Sequence, residues 1–350
     1  MPEGIIAISR RFFESEVLPI LETRFPELAE QSALGFFGYG SECLEMDDDF
    51  SRDHHFGIRV NMLVPEGTPS ARLEEMLETL SSEVPESFEG IGLRSGHVKG
   101  AGVSPEPREA FLTRMLGYPR APETSQEWLN IPEEDIIHVI NGEVWHDPSG
   151  RFTQVREVLQ GYYPDPVWKR RIAHWCRYFS GMGLYMIKRA TLRENWVYAM
   201  TSFGRTLKLS MELAFLLNRT YFPYDKWLYP MFRLLPELAD EMDPLIARSV
   251  EPDCSWDERF ENFCKVSDIL DEKMVALGIV PPHPKFKGSA TSGYRLLEHN
   301  YTMITKSLPE DVRSVVPLRE QVAFEEFHTA YVADIDVDEW DGLLNLTAEE

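Results

Sequence analysis

Cysteine is scarce in this chain and is never arranged as a site. The four residues, Cys43, Cys176, Cys254 and Cys264, form no C-x-x-C pair and have no structural-zinc spacing. A disulfide scaffold and a zinc ribbon are therefore excluded, and reduced thiols are expected. No run of about 18 apolar residues occurs, so no membrane span is expected. No charged, apolar, small-residue leader is apparent either, which makes a cytoplasmic location the expectation. Internal repeats are also missing. Positive charge is the scarcer sign: 35 Lys and Arg stand against 58 Asp and Glu, a net charge of -23. Such a surface repels nucleic-acid phosphates and attracts cations. The expected partners are thus small molecules, with a small or cationic acceptor rather than DNA, RNA or a membrane.

What is present is ample core material: 43% hydrophobic and 12% aromatic residues over 350 positions, enough for two domains. The most informative segment is Gly38-Tyr39-Gly40-Ser41-Glu42-Cys43, followed after an acidic run by Ser51-Arg52-Asp53-His54-His55-Phe56-Gly57. A Gly-Ser turn opening a short helix can hold a phosphate with backbone N–H groups and one hydroxyl. The stretch after it alternates, with Phe56, Ile58, Val60, Met62 and Val64 on one side and Asp53, His55, Arg59 and Asn61 on the other. Leu63 is the apolar exception. Side chains of a strand alternate faces, so Asp53 and His55 are expected to point the same way.

Gly40-Ser41, twelve residues on to Asp53, and a ligand position at 55 resemble the Gly-Ser and Asp-x-Asp signature of DNA polymerase β-like nucleotidyltransferases, the group that includes antibiotic adenylyltransferases. Gly-Tyr-Gly-Ser-Glu, Ser-Arg-Asp-His, Gly142-Glu143-Val144-Trp145-His146-Asp147, and Leu217-Asn218-Arg219 through Pro223-Tyr224-Asp225-Lys226-Trp227-Leu228 are more closely similar to a bacterial domain family of unknown function classed as nucleotidyltransferase-like. The resemblance covers roughly residues 30 to 280. It implies an α+β fold, a polymerase β-like nucleotidyltransferase domain followed by an all-α helical bundle. It also implies a reaction class: transfer of a nucleoside monophosphate from an NTP, ATP foremost, to a small acceptor, with release of pyrophosphate and dependence on a divalent metal, Mg or Mn.

On that reading Asp53 and His55 are the metal ligands and Asp53 and Asp147 the catalytic candidates. Gly40, Ser41, Arg52 and Lys226 are the nucleotide contacts. Arg219 is a second cation on the helical side, and Glu143 an alternative base to Asp147. Asp147, ahead of Pro148-Ser149-Gly150, reads first as a turn-initiating aspartate and second as a base. Asp47, Asp48 and Asp49 form either a solvated acidic loop or a source of one further ligand. His55 stands where the superfamily carries a carboxylate, and an imidazole suits Mn²⁺ or another borderline ion better than Mg²⁺. It is either the second ligand or a neighbour that only hydrogen-bonds. No third carboxylate occurs around His97-Val98-Lys99-Gly100. Either the metal site is rebuilt from other residues or catalysis is weakened or lost, so the alternative is a nucleotide-binding or protein-interaction module. Cys43 is either a reactive thiol or a small buried residue at a helix start.

Three segments are expected: 1–150 nucleotidyltransferase-like, 151–280 helical bundle, and 281–350 an extension beginning at Pro281-Pro282-His283-Pro284 and ending in an acidic tail. Helical spacing predicts helices over 5–30, 71–80, 109–116, 128–141, 152–159, 167–190, 194–217, 256–274 and 318–330. Strands are expected at 34–37 and 142–147. In the helix over 194–217, Phe203, Leu207, Met211 and Ala214 form one core stripe.

Overall fold

The structure is a computed structural model and describes residues 4–48, 50, 57–93, 101–282 and 297–315. The fold is mixed α+β, and the described chain gathers into two compact units. One unit holds the residues up to 122 together with 133–162; the other holds 123–132 together with those from 163 onward.

The first unit is built on a mixed sheet. Strands β1 (Ala33–Phe36), β2 (Val60–Val64), β3 (Ser87–Phe88), β4 (Ile91–Gly92), β5 (Val103–Pro107) and β6 (Glu143–His146) occur among the described residues. Four of them form one sheet in the order β5-β2-β1-β6, and β3 and β4 pair separately. β1 runs antiparallel to both of its neighbours, and β2 runs parallel to β5. The strand predicted beyond His54 is observed only from Val60, where its alternation becomes burial: Val60, Met62 and Val64 are buried in one cluster with Leu34 and Phe36. Leu63, the apolar exception, is buried outside that cluster, so the far face of the sheet is covered as well.

The amphipathic N-terminal segment supplies the first cover. It is not one helix over 5–30 but α1 (Ile5–Phe12), a π-helical turn Phe13–Val17, α2 (Leu18–Arg24) and α3 (Pro26–Gln31). The break falls at Phe25, in a non-helical conformation, because a residue ahead of proline is pushed out of the α region. Phe12, Phe13, Val17 and Leu21 pack in the same cluster as Met76 and Leu80 of α4 (Ser70–Glu83). On the other face, α5 (Arg108–Leu116) contacts β2 and β5 and, in turn, a later helix, α7 (Glu133–Ile140). There Phe37 meets Phe111 at 5.6 Å and Phe152 at 4.8 Å between ring centroids. Phe152 belongs to α8 (Arg151–Gln160), which packs on α7.

The second unit is helical. α6 (Ser125–Asn130) is a separate helix from α7, ending ahead of Pro132 where one helix over 128–141 was expected. α9 (Asp165–Arg177), a π-helical stretch Tyr178–Leu184 and α10 (Tyr185–Thr191) follow one another directly. α11 (Trp196–Leu217), α12 (Asp225–Phe232), α13 (Ala239–Val250), α14 (Trp256–Ala276), α15 (Leu297–Ser307) and α16 (Glu310–Arg313) complete it. The predicted stripe of α11 is the observed one, with Phe203, Met211 and Ala214 buried and Leu207 half-buried. Two arginines staple the unit through backbone carbonyls. Arg171 donates to Trp128 O at 2.9 Å and to Ile131 O at 2.8 Å, closing the end of α6, and Arg170 donates to Val312 O at 3.1 Å and to Val315 O. A guanidinium suits this task because its fork of donors can serve several carbonyls at once. The predicted helix over 318–330, the acidic tail and His283-Pro284 lie outside the described residues.

Candidate functional site

The loop leaving β1 is the best-defined candidate. Gly38 and Gly40 adopt positive φ, 99° and 147°, so the chain turns sharply twice within three residues. The short helix expected after Ser41 is instead a three-residue 3₁₀ turn, Glu42–Leu44. Its closure explains the difference. Glu45 enters the left-handed region at φ 57°, its N–H bonds to Glu42 O, and Met46 N–H returns to Ser41 O at 3.0 Å. That pair of bonds is a Schellman-type stop, and it leaves no room for a further helical turn.

Three side chains from outside the loop hold it, Arg59, His138 and Arg156, and none was a candidate site residue in the sequence. Arg59, just before β2, is carried by the antiparallel register to the end of β1 where the loop departs. Its guanidinium lies 4.1 Å over the Phe36 ring, donates to Tyr39 O at 3.4 Å and Cys43 Sγ at 3.5 Å, and stands 3.5 Å from Glu42 Oε1. His138 of α7 packs its ring against Tyr39 at 4.9 Å. Burial pushes the His138 pKa down, against the raising effects of its bond with the Gly38 backbone and of Glu134, so the imidazole is neutral at pH 7. Arg156 donates to the carbonyls of Val139, Ile140, Asn141 and Gly142 at 2.9 to 3.1 Å, holding the C-terminal end of α7. Gly142 N–H in turn bonds to Cys43 O at 3.1 Å.

The sequence candidates distribute as follows. Gly40 and Ser41 are in the loop, with Ser41 buried and its hydroxyl making no cap to the 3₁₀ turn. Cys43 is buried, and desolvation pushes its thiol up to about 12 despite the nearby Arg59, so of the two readings it is the inert one. Asp47 and Asp48 continue the loop. Arg52, Asp53, His55, Asp49 and the segment 97–100 lie outside the described residues. Among the described residues, no group of three or more His, Cys, Asp or Glu side chains is placed to hold a metal ion.

Asp147 follows β6 and lines a polar groove of about 340 Å³ with Thr153, Glu157 and Gln160. Its Oδ2 accepts from Phe152 N at 3.1 Å, Thr153 N at 2.8 Å and Thr153 Oγ1 at 2.9 Å, and its Oδ1 accepts from Ser149 Oγ at 3.0 Å. These are the bonds of an aspartate that starts a helix. Glu143 accepts from Trp145 Nε1 at 2.7 Å and is exposed. In the helical unit, Lys226 is an exposed residue of the first turn of α12, its ammonium 4.8 Å over the Trp227 ring. Arg219 pairs with Asp165 at 2.7 Å and lies 3.7 Å over the Trp168 ring. Lys169 and Arg219 together hold the Asp165 carboxyl below the usual carboxylate range.

A family described as "Domain of unknown function (DUF4037)" matches residues 128–228, from α6 into α12. Among solved structures, the chain is similar to a nucleotidyltransferase-like protein from Exiguobacterium sibiricum 255-15. That likeness has a TM-score of 0.39 and 10% identity over 83% of this chain and 89% of that one. No curated protein matches the chain. The structural likeness is loose and the family description names no activity; what bears on function is the geometry of the loop after β1.

Proposed function

We propose that this protein binds a nucleoside triphosphate, ATP foremost, at the Gly38–Ser41 loop and transfers its nucleoside monophosphate to a small acceptor. The observation that supports this reading is the pair of positive-φ glycines, Gly38 and Gly40, in the loop at the end of a central strand and backed by the Arg59 guanidinium. Successive backbone N–H groups in such a loop form a concavity suited to phosphate oxygens. In the transfer, an acceptor oxygen forms a bond to the α-phosphorus, the bond to the pyrophosphate oxygen breaks, and the acceptor proton leaves to a base. A divalent ion, Mg²⁺ or Mn²⁺, held by Asp53 and His55, would offset the phosphate charge as the bonds exchange.

The bonds that tie up Asp147 favour a second reading, nucleotide binding without turnover. Pyrophosphate release, measured while small acceptors are screened, separates the two. Release in the presence of one acceptor supports transfer; saturable ATP binding with no release from any acceptor supports the binding module.

An imidazole must be neutral to ligate, so metal-dependent ATP affinity is expected to fall as pH drops through ~6.5, with Mn²⁺ outperforming Mg²⁺. His55→Asp is expected to move the preference toward Mg²⁺, and Asp53→Asn to abolish the metal dependence. Calorimetry at two pH values checks this, and an unchanged metal preference in His55→Asp removes His55 from the site.

A further inference from the structure

Glu42 occupies an unusual position for a carboxylate. Its side chain is only 8% exposed and folds back over the loop, so that a Cβ placed on Gly40 would fall 2.7 Å from its Cδ and both of its oxygens. Among the described residues, Oε1 accepts no hydrogen bond, and Arg59 Nη1 faces it at 3.5 Å. Arg59 is equally under-committed. Its side chain is 14% exposed, its Nε donates to nothing among the described residues, and its Nη2 reaches Tyr39 O only at 3.4 Å, beside an ordinary 3.5 Å contact to Cys43 Sγ. Charge-assisted bonds from a guanidinium ordinarily close to about 2.7–2.9 Å. Arg72 and Arg11 reach such distances in surface pairs of this same chain, at 2.6 and 2.7 Å. A fork of donors that matches carboxylate and phosphate oxygens equally well is thus held beside the loop, with a carboxylate lying loosely against it.

We propose that Arg59 is the phosphate-binding side chain of this loop and that Glu42 is its resident counter-ion, displaced when the phosphates of the nucleotide take the guanidinium. The proposal rests on the nucleotide reading above and adds what that reading lacks: a positive group inside the loop and an internal competitor for it. Glu42 keeps the guanidinium neutralised while the loop is empty and yields to a ligand that carries more negative charge. Affinity for phosphate chains is therefore set by a contest between two anions for one arginine.

The test titrates the full-length protein with sodium tripolyphosphate and, separately, with ATP by calorimetry, after thermal melts confirm that each variant is folded. Glu42→Gln keeps the shape and removes the competing charge, so it is expected to bind tripolyphosphate about tenfold tighter than the wild type. Glu45→Gln, which removes an exposed charge from the same loop, is expected to change affinity by less than about twofold. In an Arg59→Lys background the gain from Glu42→Gln is expected to vanish, because the two residues act through one contact. A purely structural role for the pair cannot tighten anion binding, so Glu42→Gln binding no tighter than the wild type overturns the proposal. An equal gain from Glu45→Gln also overturns it. If Arg59→Lys fails to fold, the comparison of Glu42→Gln with Glu45→Gln decides alone. Should the wild type bind neither ligand while Glu42→Gln binds tripolyphosphate, the contest stands and the nucleotide function fails. Should no variant bind either ligand, both fall.

Discussion

Gly142 and His138 are the residues whose surroundings dictate the sharpest consequences. Gly142 sits at φ 60°, and a Cβ there would come within 2.0 Å of the Phe36 carbonyl oxygen, a backbone atom of β1 that cannot swing aside. Gly117 has a similar φ, 78°, but opens onto free space. Gly117→Ala is expected to cost about 1–2 kcal/mol from the left-handed conformation alone, and Gly142→Ala about 3 kcal/mol or more. Urea denaturation of both variants checks the contrast, and equal losses would contradict the close approach of β6 to β1. His138 carries a pH dependence. In the unfolded chain its imidazole takes up a proton near ~6.5, whereas in the fold burial holds its pKa lower. Between those two values the unfolded chain binds a proton that the fold does not, so stability rises with pH across that window. Lowering the pH below ~6.5 is expected to erode wild-type stability until the folded value is passed. His138→Gln is expected to lose that part of the slope. Parallel stability profiles for the two proteins between pH 7.5 and 5.5 would show that His138 is not the group responsible.

Among the elements, α7 depends on one arginine. Arg156 alone serves four carbonyls at its end, and α7 in turn carries His138 against the loop. Arg156→Ala leaves those acceptors short of donors and is expected to cost about 3 kcal/mol; Arg156→Lys keeps the charge but not the fork and is expected to cost roughly half of that. Chemical denaturation ranks them, and a neutral Arg156→Ala would contradict the assigned role. Elements with a clean period were legible in the sequence: β1, α4, α5, α11 and α14 fall within a few residues of where apolar spacing placed them. β5 was not, because Val103-Ser104-Pro105-Glu106-Pro107 reads as loop; it is a strand because it lies at the sheet edge, where proline removes no needed donor. α12 and α13 were missed for a related reason, since each carries an internal proline, Pro230 or Pro244, that local rules read as a break. Glu42 lies in the loop by sequence, but Arg59, His138 and Arg156 are individually ordinary there. Only the folding of β1 with β2 and β6 brings these three to the loop, and no local spacing encodes that.

For the molecule as a whole, no helix among the described residues is long and apolar enough to cross a membrane, and the formal net charge is -23. A phosphate ligand must therefore be held against a repulsive field by local donors, which concentrates the account on one loop. A ligand bound only by the folded state raises the melting temperature with its concentration, by mass action. The most direct test is the melting temperature of wild type and Ser41→Ala against increasing ATP, with Mg²⁺ and with Mn²⁺. The account predicts a rise in the wild type that grows with ATP, and a need for about tenfold more ATP to reach the same rise in Ser41→Ala. No rise with any of the four NTPs under either metal, or an identical rise in Ser41→Ala, would contradict nucleotide binding at this loop.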